Sequence, residues 1–226
     1  MLAFIDGRVN SQIKKNLSKY FEVIDFETKG ITYDAISGHP DIFILKIFNN
    51  IYIPKNLPLK YLEILKKTQY NVNVINWEIG GKYPESARLN IAFNGEVFIH
   101  NLKITPTILK NFENLRYVHI KQGYSRCSII PLKNFFITSD KGVEKALMLK
   151  NYPVKYVDNT NILLEGFSIG FIGGTCGIWE NKIFFMGSLK HYSWGDDLRN
   201  LICNNGYEII ELYDGYLIDG GTIVII

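Results

Sequence analysis

The chain has 226 residues, of which 47% are hydrophobic, and a formal net charge of +3. A charge this weak, carried by lysines that are spread along the chain, argues against a nucleic-acid partner. No apolar stretch approaches the roughly 18 residues of a membrane span, no secretory leader pattern opens the chain, and the three cysteines are too scattered for a disulfide framework or a zinc site. We therefore expect one cytoplasmic domain over residues 1–226, with no metal, no cofactor and no membrane partner.

The N-terminal elements form an incomplete unit of strand, helix and strand. Met1–Asp6 is predicted as a strand, and Ser11–Tyr20 as an amphipathic helix with Ile13 and Leu17 on its inner face. Phe21–Phe26 then alternates between apolar and polar residues, which is typical of a strand.

A complete unit follows, with the order tip, strand, turn, strand, helix and strand. Its parts are the polar tip Gly38–Asp41, the strand Ile42–Ile47, the turn Asn49–Asn50, the strand Ile51–Ile53, the helix Leu57–Lys67 and the strand Tyr70–Trp77. The unit is a β-hairpin followed by a helix and one more strand, written ββαβ.

The same unit recurs three more times, with hairpin turns at Asn94–Gly95, Lys133–Asn134 and Glu180–Asn181. The helices of these units are predicted from Thr105 or Pro106 to Asn111, from Ser139 or Asp140 with Val143, Ala146 and Leu147 on one face, and from Asp196 to Cys203. In the central repeat the hairpin strands are Ser128–Leu132 and Phe135–Thr138.

The spacing of the turns predicts how the units are arranged. The turns are separated by 45, 39 and 47 residues, and one further step of that size reaches the C-terminus. The fifth unit is therefore predicted to be split, with residues 214–226 supplying its first strand and residues 1–27 the rest. Because the two ends complete one another, a closed ring is favoured over an open solenoid. We expect an α/β propeller of five ββαβ modules around a pseudo-fivefold axis.

Five segments of the chain carry a family resemblance, namely GHPDIFI, KQGYSRCSII, ITSDKGVEKAL, GFIGGTCG and DGGTIVII. Together they resemble an uncharacterised bacterial family described as guanidine-modifying-enzyme-like (GME-like). The modular ring itself resembles the pentein fold of arginine deiminases, amidinotransferases, dimethylarginine hydrolases and agmatine deiminases. The tip His39–Pro40–Asp41 is similar to the motif that carries the general acid/base histidine of those enzymes. The resemblance implies a pentein fold and an activity on guanidino groups.

The sequence departs from those enzymes at the position of the nucleophile. Their nucleophilic cysteine lies close to the C-terminus, where this chain reads Asp219-Gly220-Gly221-Thr222. A nucleophilic thiol must therefore come from another module, and the candidates are Cys127 and, less favoured, Cys176.

Polar residues at the tips are predicted to share one face of their strands. Each is an even number of residues before its hairpin turn, and these residues are His39, Asp41, Ser86, Arg88, Asn90, Ser125, Cys127 and Cys176. A single bulge in a strand would undo this parity.

Cys127, His39 and Asp41 are the catalytic candidates. Cys127 would attack a guanidinium carbon as a thiolate, with a pKa lowered by Arg126 or a protonated His39. His39 would act as general acid and base, and Asp41 would orient it or hold the substrate. The alternatives are an inert buried cysteine, a turn histidine bonded to the backbone, and an aspartate that caps a strand.

The predicted substrate-binding residues are Glu85, Asn90, Arg126 and Asp219. Glu85 and Asp219 are carboxylates at the tips, which suits them to hold a guanidinium with two hydrogen bonds, although each also fits a solvated loop charge. The glycine-rich segment 170–177 is followed by a turn and a strand rather than by a helix, so it does not fit a phosphate-binding loop. Its glycines are predicted to allow a close backbone approach to the centre.

Two functions remain open from the sequence. The first is a thiol-dependent hydrolase or transferase acting on a small cationic guanidine, amidine or ureido compound. The second is a non-catalytic ring used for binding, similar in plan to the ribosome anti-association factor of archaea and eukaryotes. The polar tips favour the first, and the missing C-terminal cysteine favours the second.

Overall fold

The computed structural model describes residues 1–226 as an α/β fold of short strands and helices. The strands are β1 (Leu2–Asp6), β2 (Glu22–Phe26), β3 (Leu45–Ile47), β4 (Asn50–Pro54), β5 (Asn71–Ile75), β6 (Ala92–Phe93), β7 (Val97–His100), β8 (Arg116–His119), β9 (Ile129–Leu132), β10 (Phe135–Thr138), β11 (Val154–Tyr156), β12 (Ile162–Leu163), β13 (Cys176–Trp179), β14 (Lys182–Phe185), β15 (Glu208–Glu211), β16 (Leu217–Ile218) and β17 (Val224–Ile225). The helices are α1 (Ser11–Leu17), α2 (Leu59–Lys66), α3 (Ser125–Ser128), α4 (Lys141–Met148) and α5 (Gly195–Asn204). None of these helices has the length and apolarity that crossing a bilayer requires.

Five three-stranded sheets share one plan. In each, the first strand pairs antiparallel with the middle strand, and the middle strand pairs parallel with the third. In chain order they are sheet 1 (β17-β1-β2), sheet 2 (β3-β4-β5), sheet 3 (β6-β7-β8), sheet 4 (β9-β10-β11) and sheet 5 (β13-β14-β15).

Sheet 1 is built from both ends of the chain. Ala3 lies opposite Ile225, and Leu2 and Ile226 exchange two backbone hydrogen bonds of 2.7 and 2.9 Å. The C-terminal strand therefore supplies the hairpin partner of the N-terminal strand, as the spacing of the turns predicts.

The hydrophobic core consists of five clusters, each shared by two sheets. Phe4 and Phe26 of sheet 1 pack with Ile51 and Ile53 of sheet 2. The other four clusters join sheets 2 and 3, 3 and 4, 4 and 5, and 5 and 1 in the same way. Successive side chains of a strand point to opposite faces, so a middle strand whose two faces are both buried reads as a continuous apolar run.

The tips that precede the first strands differ from the prediction. The predicted strand Ile42–Ile47 begins only at Leu45, and the predicted strand Ser128–Leu132 begins only at Ile129. A single helical turn occupies each of four tips, at Pro40–Ile42, Glu85–Ala87, Ser125–Ser128 and Gly173–Thr175. Proline fits the first position of a helical turn because it has no N–H to leave unpaired. The alternation argument for the tip side chains is therefore wrong, because alternation holds only in extended backbone.

Most of the other predicted elements are confirmed, with shifted ends. The two-residue turns at Lys133–Asn134 and Glu180–Asn181 are confirmed, and Asp140 caps α4 by accepting from two backbone amides. The turn predicted at Asn49–Asn50 lies one residue earlier, since Ile47 pairs with Asn50.

The third unit departs furthest from its predicted shape. Phe93 pairs with Phe98, so its hairpin loop has four residues rather than two. Its predicted helix is reduced to a 3-10 turn at Thr107–Lys110. Threonine, isoleucine and asparagine in this segment are weak helix formers, which accounts for the shorter element.

Candidate active site

The helical tips of two sheets and the segment before β17 place four titratable side chains together. They are His39, Asp41, Cys127 and Asp219, each at most 4% exposed. The donor atoms of His39, Cys127 and Asp219 all lie within 4.8 Å of one another. The thiol of Cys127 donates a hydrogen bond to Asp41 Oδ2 at 3.3 Å. We call these four residues the buried cluster.

Asn90 fixes the position of Cys127. Its side-chain oxygen accepts from the backbone amides of Arg126 (2.8 Å) and Cys127 (3.1 Å), and its Nδ2 donates to Cys127 Sγ at 3.2 Å. Its backbone carbonyl accepts from the amides of Ser125 and Arg126 at the start of α3. A residue predicted to bind substrate thus holds the turn that carries the thiol and directs an N–H at the sulfur.

His39 is held by backbone packing rather than by hydrogen bonds from its ring. Gly221, with φ +65°, lies against the imidazole so closely that any Cβ there would collide with His39. Neither ring nitrogen of His39 has a hydrogen-bond partner. Burial lowers the pKa of His39, against the opposing effect of the Asp219 carboxylate. Burial therefore favours the neutral form of the imidazole by lowering its pKa.

Asp219 is anchored by backbone amides. Its Oδ2 accepts from Phe171 N at 2.8 Å and its Oδ1 from Gly221 N at 3.1 Å. The backbone around it is held by the two-stranded pairing of β12 with β16. Gly174 lies against the carboxylate with no room for a Cβ, which confirms the predicted role of the glycine-rich segment. Burial raises the pKa of Asp219.

Asp41 is a buried carboxylate without a cation hydrogen-bonded to it. Its Oδ1 has no hydrogen-bond partner. Burial raises the pKa of Asp41 to about 7, and the charge of Arg126 opposes this shift. The Asp41 carboxyl, with a pKa of about 7, therefore changes between its neutral and charged forms near neutral pH.

Arg126 does not activate the thiol. Its guanidinium donates to the carbonyls of Ile129 (2.9 Å), Gly173 (2.8 Å) and Cys176 (3.1 Å), and so ties the tip of sheet 4 to the tip of sheet 5. The pKa of Cys127 is raised well above its usual value by burial and by the carboxylates of Asp41 and Asp219. The expectation that Arg126 or a protonated His39 lowers this pKa is wrong for the ligand-free protein, because burial and like charge outweigh any nearby cation.

Glu85 lies outside the buried cluster. The 3-10 turn at this tip buries Ser86 and Ala87 but leaves Glu85 exposed, with its carboxylate against Gly80. Cys176 is also buried, with its Sγ 3.9 Å from the Gly173 carbonyl; burial raises its pKa, and the charge of Arg126 opposes this shift. Of the two candidate thiols, Cys127 alone is placed with a histidine and carboxylates.

A row of hydroxyl groups beside the cluster was not recognised in the sequence. Tyr33 Oη donates to Tyr124 Oη at 3.3 Å, and Tyr124 Oη lies 2.7 Å from Ser86 Oγ. Burial, the bond to Tyr124 and the charges of Cys127 and Asp219 together raise the pKa of Tyr33. These tyrosines come from loops without periodicity, so only the tertiary structure identifies them as neighbours of the site.

A cavity of about 660 Å³ reaches one member of the buried cluster, Asp41. Asp41, Arg126 and Thr222 line it, together with apolar residues of the first strands such as Ile91 and Ile223. Its lining extends to the hairpin turns, where the charged residues are Lys133, Glu96 and Glu180. The cavity gives Asp41 a connection to the surface at the hairpin ends of the sheets.

Comparison with known proteins gives one family match and several structural matches. A sequence profile described as a family of unknown function (DUF6873) matches residues 4–224. A search of curated proteins finds no match. A dimethylarginine dimethylaminohydrolase, in an adduct with 4-chloro-2-hydroxymethylpyridine, aligns with 93% of this chain and 91% of its own at a TM-score of 0.51 and 12% identity. An agmatine deiminase of C. jejuni aligns with 90% of this chain and 75% of its own at a TM-score of 0.51 and 10% identity.

A third solved structure aligns over a shorter length. A mutant DDAH from Pseudomonas aeruginosa, complexed with citrulline, has 16% identity and a TM-score of 0.43 over 66% of this chain. The chain spans 58% of the length of that enzyme. The two longer alignments show an α/β fold of small sheets like that of pentein-fold enzymes.

Proposed function

The chain belongs to DUF6873, a family of unknown function, and we propose that it is a thiol-dependent hydrolase or transferase acting on a guanidine, amidine or ureido compound at Cys127. The observation that carries this proposal is the buried cluster, in which one thiol meets a neutral imidazole and two carboxylates. A nucleophile, a base within reach and a group that orients them are the parts of a covalent catalytic site.

The proposal includes a closed ring of five ββαβ modules, with the buried cluster near its axis. The five core clusters support it, because they link the sheets in the cyclic order 1, 2, 3, 4, 5 and back to 1. The pairing of β17 with β1 supports the split fifth module and a single domain over residues 1–226. Membership of the GME-like family and a cytoplasmic location remain predictions from the sequence.

The charge of the site favours a cationic substrate. Neither Asp41 nor Asp219 forms an ion pair with any lysine or arginine of the chain. A buried carboxylate without a partner is costly, and a bound cation offsets that cost. A guanidinium is planar and donates pairs of parallel hydrogen bonds, which match carboxylate oxygens. We assign Asp219 and Asp41 as the groups that hold it, with Tyr33 and Tyr124 beside them.

The proposed first step forms a bond between sulfur and carbon. Cys127 Sγ attacks the guanidinium carbon, and the thiol proton passes through His39 to the departing amine. The carbon–nitrogen bond breaks, and a cationic thiouronium remains attached to Cys127. The pair of electrons from the broken bond leaves with the amine, which departs as a neutral molecule.

The proposed second step releases the product. A water molecule attacks the same carbon while His39 takes one of its protons, the carbon–sulfur bond breaks, and the second proton of the water returns to the sulfur to restore the thiol. The proton on His39 is then released to solvent, which restores the neutral imidazole. One water is consumed, and a ureido product and an amine are formed. An amine acceptor in place of water would make the same site a transferase.

The test is a screen for release of ammonia, alkylamine or urea from arginine, agmatine, citrulline and methylated arginines. We expect turnover by the wild type and a loss of roughly 1000-fold or more in Cys127→Ala, because the nucleophile is removed. Cys176→Ala is the matched control, since it removes an equally buried thiol from the neighbouring tip. Equal rates in the wild type and Cys127→Ala would exclude the proposal.

One outcome would instead support the non-catalytic alternative. Burial raises the pKa of the Cys127 thiol and so favours its protonated form, and each member of the buried cluster is at most 4% exposed. Calorimetric binding of a guanidino compound without release of any product would make the protein a binding module with this fold.

A further inference from the structure

The buried cluster also has the composition of a zinc site. We propose that His39, Cys127 and Asp219 bind one Zn²⁺ ion and that the bound ion blocks the thiol. The metal site itself is independent of the proposed function, and only the inhibition rests on it. From the sequence no metal site is expected, because the three cysteines are scattered and His100, His119 and His191 show no ligand spacing.

The donor atoms match the preference of zinc. They are an imidazole nitrogen, a thiolate sulfur and a carboxylate oxygen, a set that suits Zn²⁺ better than Mg²⁺ or Ca²⁺, which favour oxygen ligands alone. In a tetrahedral zinc site, with bonds of about 2.0–2.3 Å, neighbouring donor atoms lie roughly 3.5 Å apart. The three donors here lie within 4.8 Å of one another, so a contraction of about 1 Å brings them into range.

His39 provides a second and independent indication. Both of its ring nitrogens are buried and lack a hydrogen-bond partner. Buried polar groups in native proteins are nearly always paired, so each exception calls for a ligand or a function. A metal ion supplies the missing partner for one of the two nitrogens.

The charges of the site balance around a divalent cation. A thiolate from Cys127 and a carboxylate from Asp219 together carry two negative charges, while neutral His39 adds none. The surrounding contacts resemble the outer shell of a metal site, because Phe171 N and Gly221 N orient the Asp219 carboxylate and Asn90 Nδ2 donates to the sulfur. The fourth position is left to water, for which the unpaired Asp41 Oδ1 is an acceptor.

Binding exchanges one bond for another. The sulfur–hydrogen bond of Cys127 breaks, its proton is released to solvent, and a zinc–sulfur bond forms. A thiolate whose lone pair is held by the metal is no longer free to attack a guanidinium carbon. The proposed enzyme is therefore inhibited reversibly by zinc and restored by a chelator.

The test uses Co²⁺ as a spectroscopic probe of the chelator-treated full-length protein under anaerobic conditions. We expect one equivalent of Co²⁺ to produce a thiolate charge-transfer band in the near ultraviolet and the visible bands of a tetrahedral ion, and Zn²⁺ to displace it. Cys127→Ser should abolish the charge-transfer band, and Asp219→Asn should weaken binding at least tenfold. Circular dichroism and thermal melting confirm that each variant is folded.

Two control variants test whether a cysteine outside the buried cluster binds the cobalt ion. Cys176→Ser and Cys203→Ser should retain the full band, because neither thiol belongs to the buried cluster. A band that survives Cys127→Ser, or one that disappears in Cys203→Ser, overturns the proposal. The absence of any cobalt–thiolate band in the folded wild type also overturns it.

Different experimental outcomes exclude the metal site and the enzymatic function. Stoichiometric Co²⁺ binding through Cys127 without turnover of any guanidino compound supports the metal site and removes its regulatory consequence. Turnover that Zn²⁺ does not change, in a protein that shows no cobalt band, leaves the hydrolase and removes the metal site. Turnover that falls on addition of Zn²⁺ and recovers with chelator supports both.

Discussion

The tips of sheets 4 and 5 each carry a buried cysteine, yet the two thiols lie in different surroundings. Cys127 is 3% exposed and Cys176 is 0% exposed, so burial does not distinguish them. Cys127 belongs to helix α3 and contacts Asp41 and Asn90, whereas Cys176 begins strand β13, pairs with Phe185 and has a carbonyl and the charge of Arg126 beside it instead of carboxylates. Because both thiols are equally buried, the difference in their expected reactivity comes from the polar groups around each one.

The largest expected effect is in thiol labelling, which tests whether the two tips are equally closed. In the native protein Cys203 should react with iodoacetamide at least about 1000-fold faster than Cys127 or Cys176, because a buried thiol reacts only from rare open states. Mass spectrometry of the labelled peptides measures the three rates. Fast labelling of Cys127 alone would show that its tip opens independently, and labelling of all three in denaturant is the control.

The next largest effect is expected in the activity of a variant that alters the hydrogen bonds around Cys127. Asn90→Ala removes the N–H donor of the Cys127 sulfur and leaves the backbone amide of Cys127 without an acceptor, while the amide of Arg126 keeps the backbone carbonyl of residue 90. We expect a loss of roughly 100-fold in kcat, as for loss of a preorganised hydrogen-bond donor in other active sites, and a loss of about 1–3 kcal/mol in the free energy of unfolding.

Asn94→Ala is the matched control for Asn90→Ala. The side chain of Asn94 makes four hydrogen bonds, compared with three for Asn90, and all four lie at the hairpin turns of sheets 3 and 4. It should lose a similar amount of stability and keep its kcat. Equal losses of kcat in the two variants would assign the effect to general loosening of the fold.

The pH dependence of stability tests the support beneath the Cys127 tip. His100 Nε2 lies 3.0 Å from the carbonyls of Ala87 and Gly123, and burial lowers its pKa from 6.5 to about 4. Between these two values the unfolded chain takes up a proton that the folded chain does not. The contribution of His100 to the free energy of unfolding is therefore fully present above pH 6.5. It falls by about 3 kcal/mol in all as the pH drops to about 4.

Chemical denaturation of the wild type and His100→Gln across this range measures that contribution. The difference between the two proteins should shrink as the pH falls from 6.5 to 4, because glutamine has no proton to gain. A constant difference across the range would show that His100 is protonated in the folded protein.

The smallest effect concerns the connection between the two tips. Arg126→Lys keeps the charge but replaces a planar fork that donates to three carbonyls. We expect a loss of about 1–2 kcal/mol in the free energy of unfolding, measured by urea denaturation. Arg116→Lys, at an exposed position, is the control and should change stability by less than about 0.5 kcal/mol. Equal stability of the two variants would contradict a structural role for the guanidinium.

Much of the fold could be predicted because its signals are local. The turns at Lys133–Asn134 and Glu180–Asn181, the Asp140 cap and the apolar face of α4 each depend on residues within a few positions of one another. The spacing of the turns also predicted the pairing of β17 with β1, since a regular repeat with a missing half implies that the ends meet.

The details of the site could not be predicted because its contacts are distant in sequence. The thiol of Cys127 and its acceptor Asp41 are separated by 86 residues, and Asn90 is 37 residues from the same sulfur. No local pattern indicates that Arg126 turns to carbonyls of sheet 5 or that Glu85 turns to the surface. Tyr33 and Tyr124 lie in loops, where sequence periodicity carries no information.

The sequence by itself determined the repeated unit, the split fifth unit and the choice of His39, Asp41, Cys127 and Asp219 as candidates. Residue type and spacing are sufficient for the repeated units, because strand and helix formation depend on nearby residues, whereas the choice of candidates also used the resemblance to guanidino-modifying enzymes. Only the tertiary structure decided that these four groups meet and that burial and nearby carboxylates raise the pKa of the thiol. The protonation state of a group follows from its burial and from the charges around it, and both arise only when distant segments of the chain are packed together.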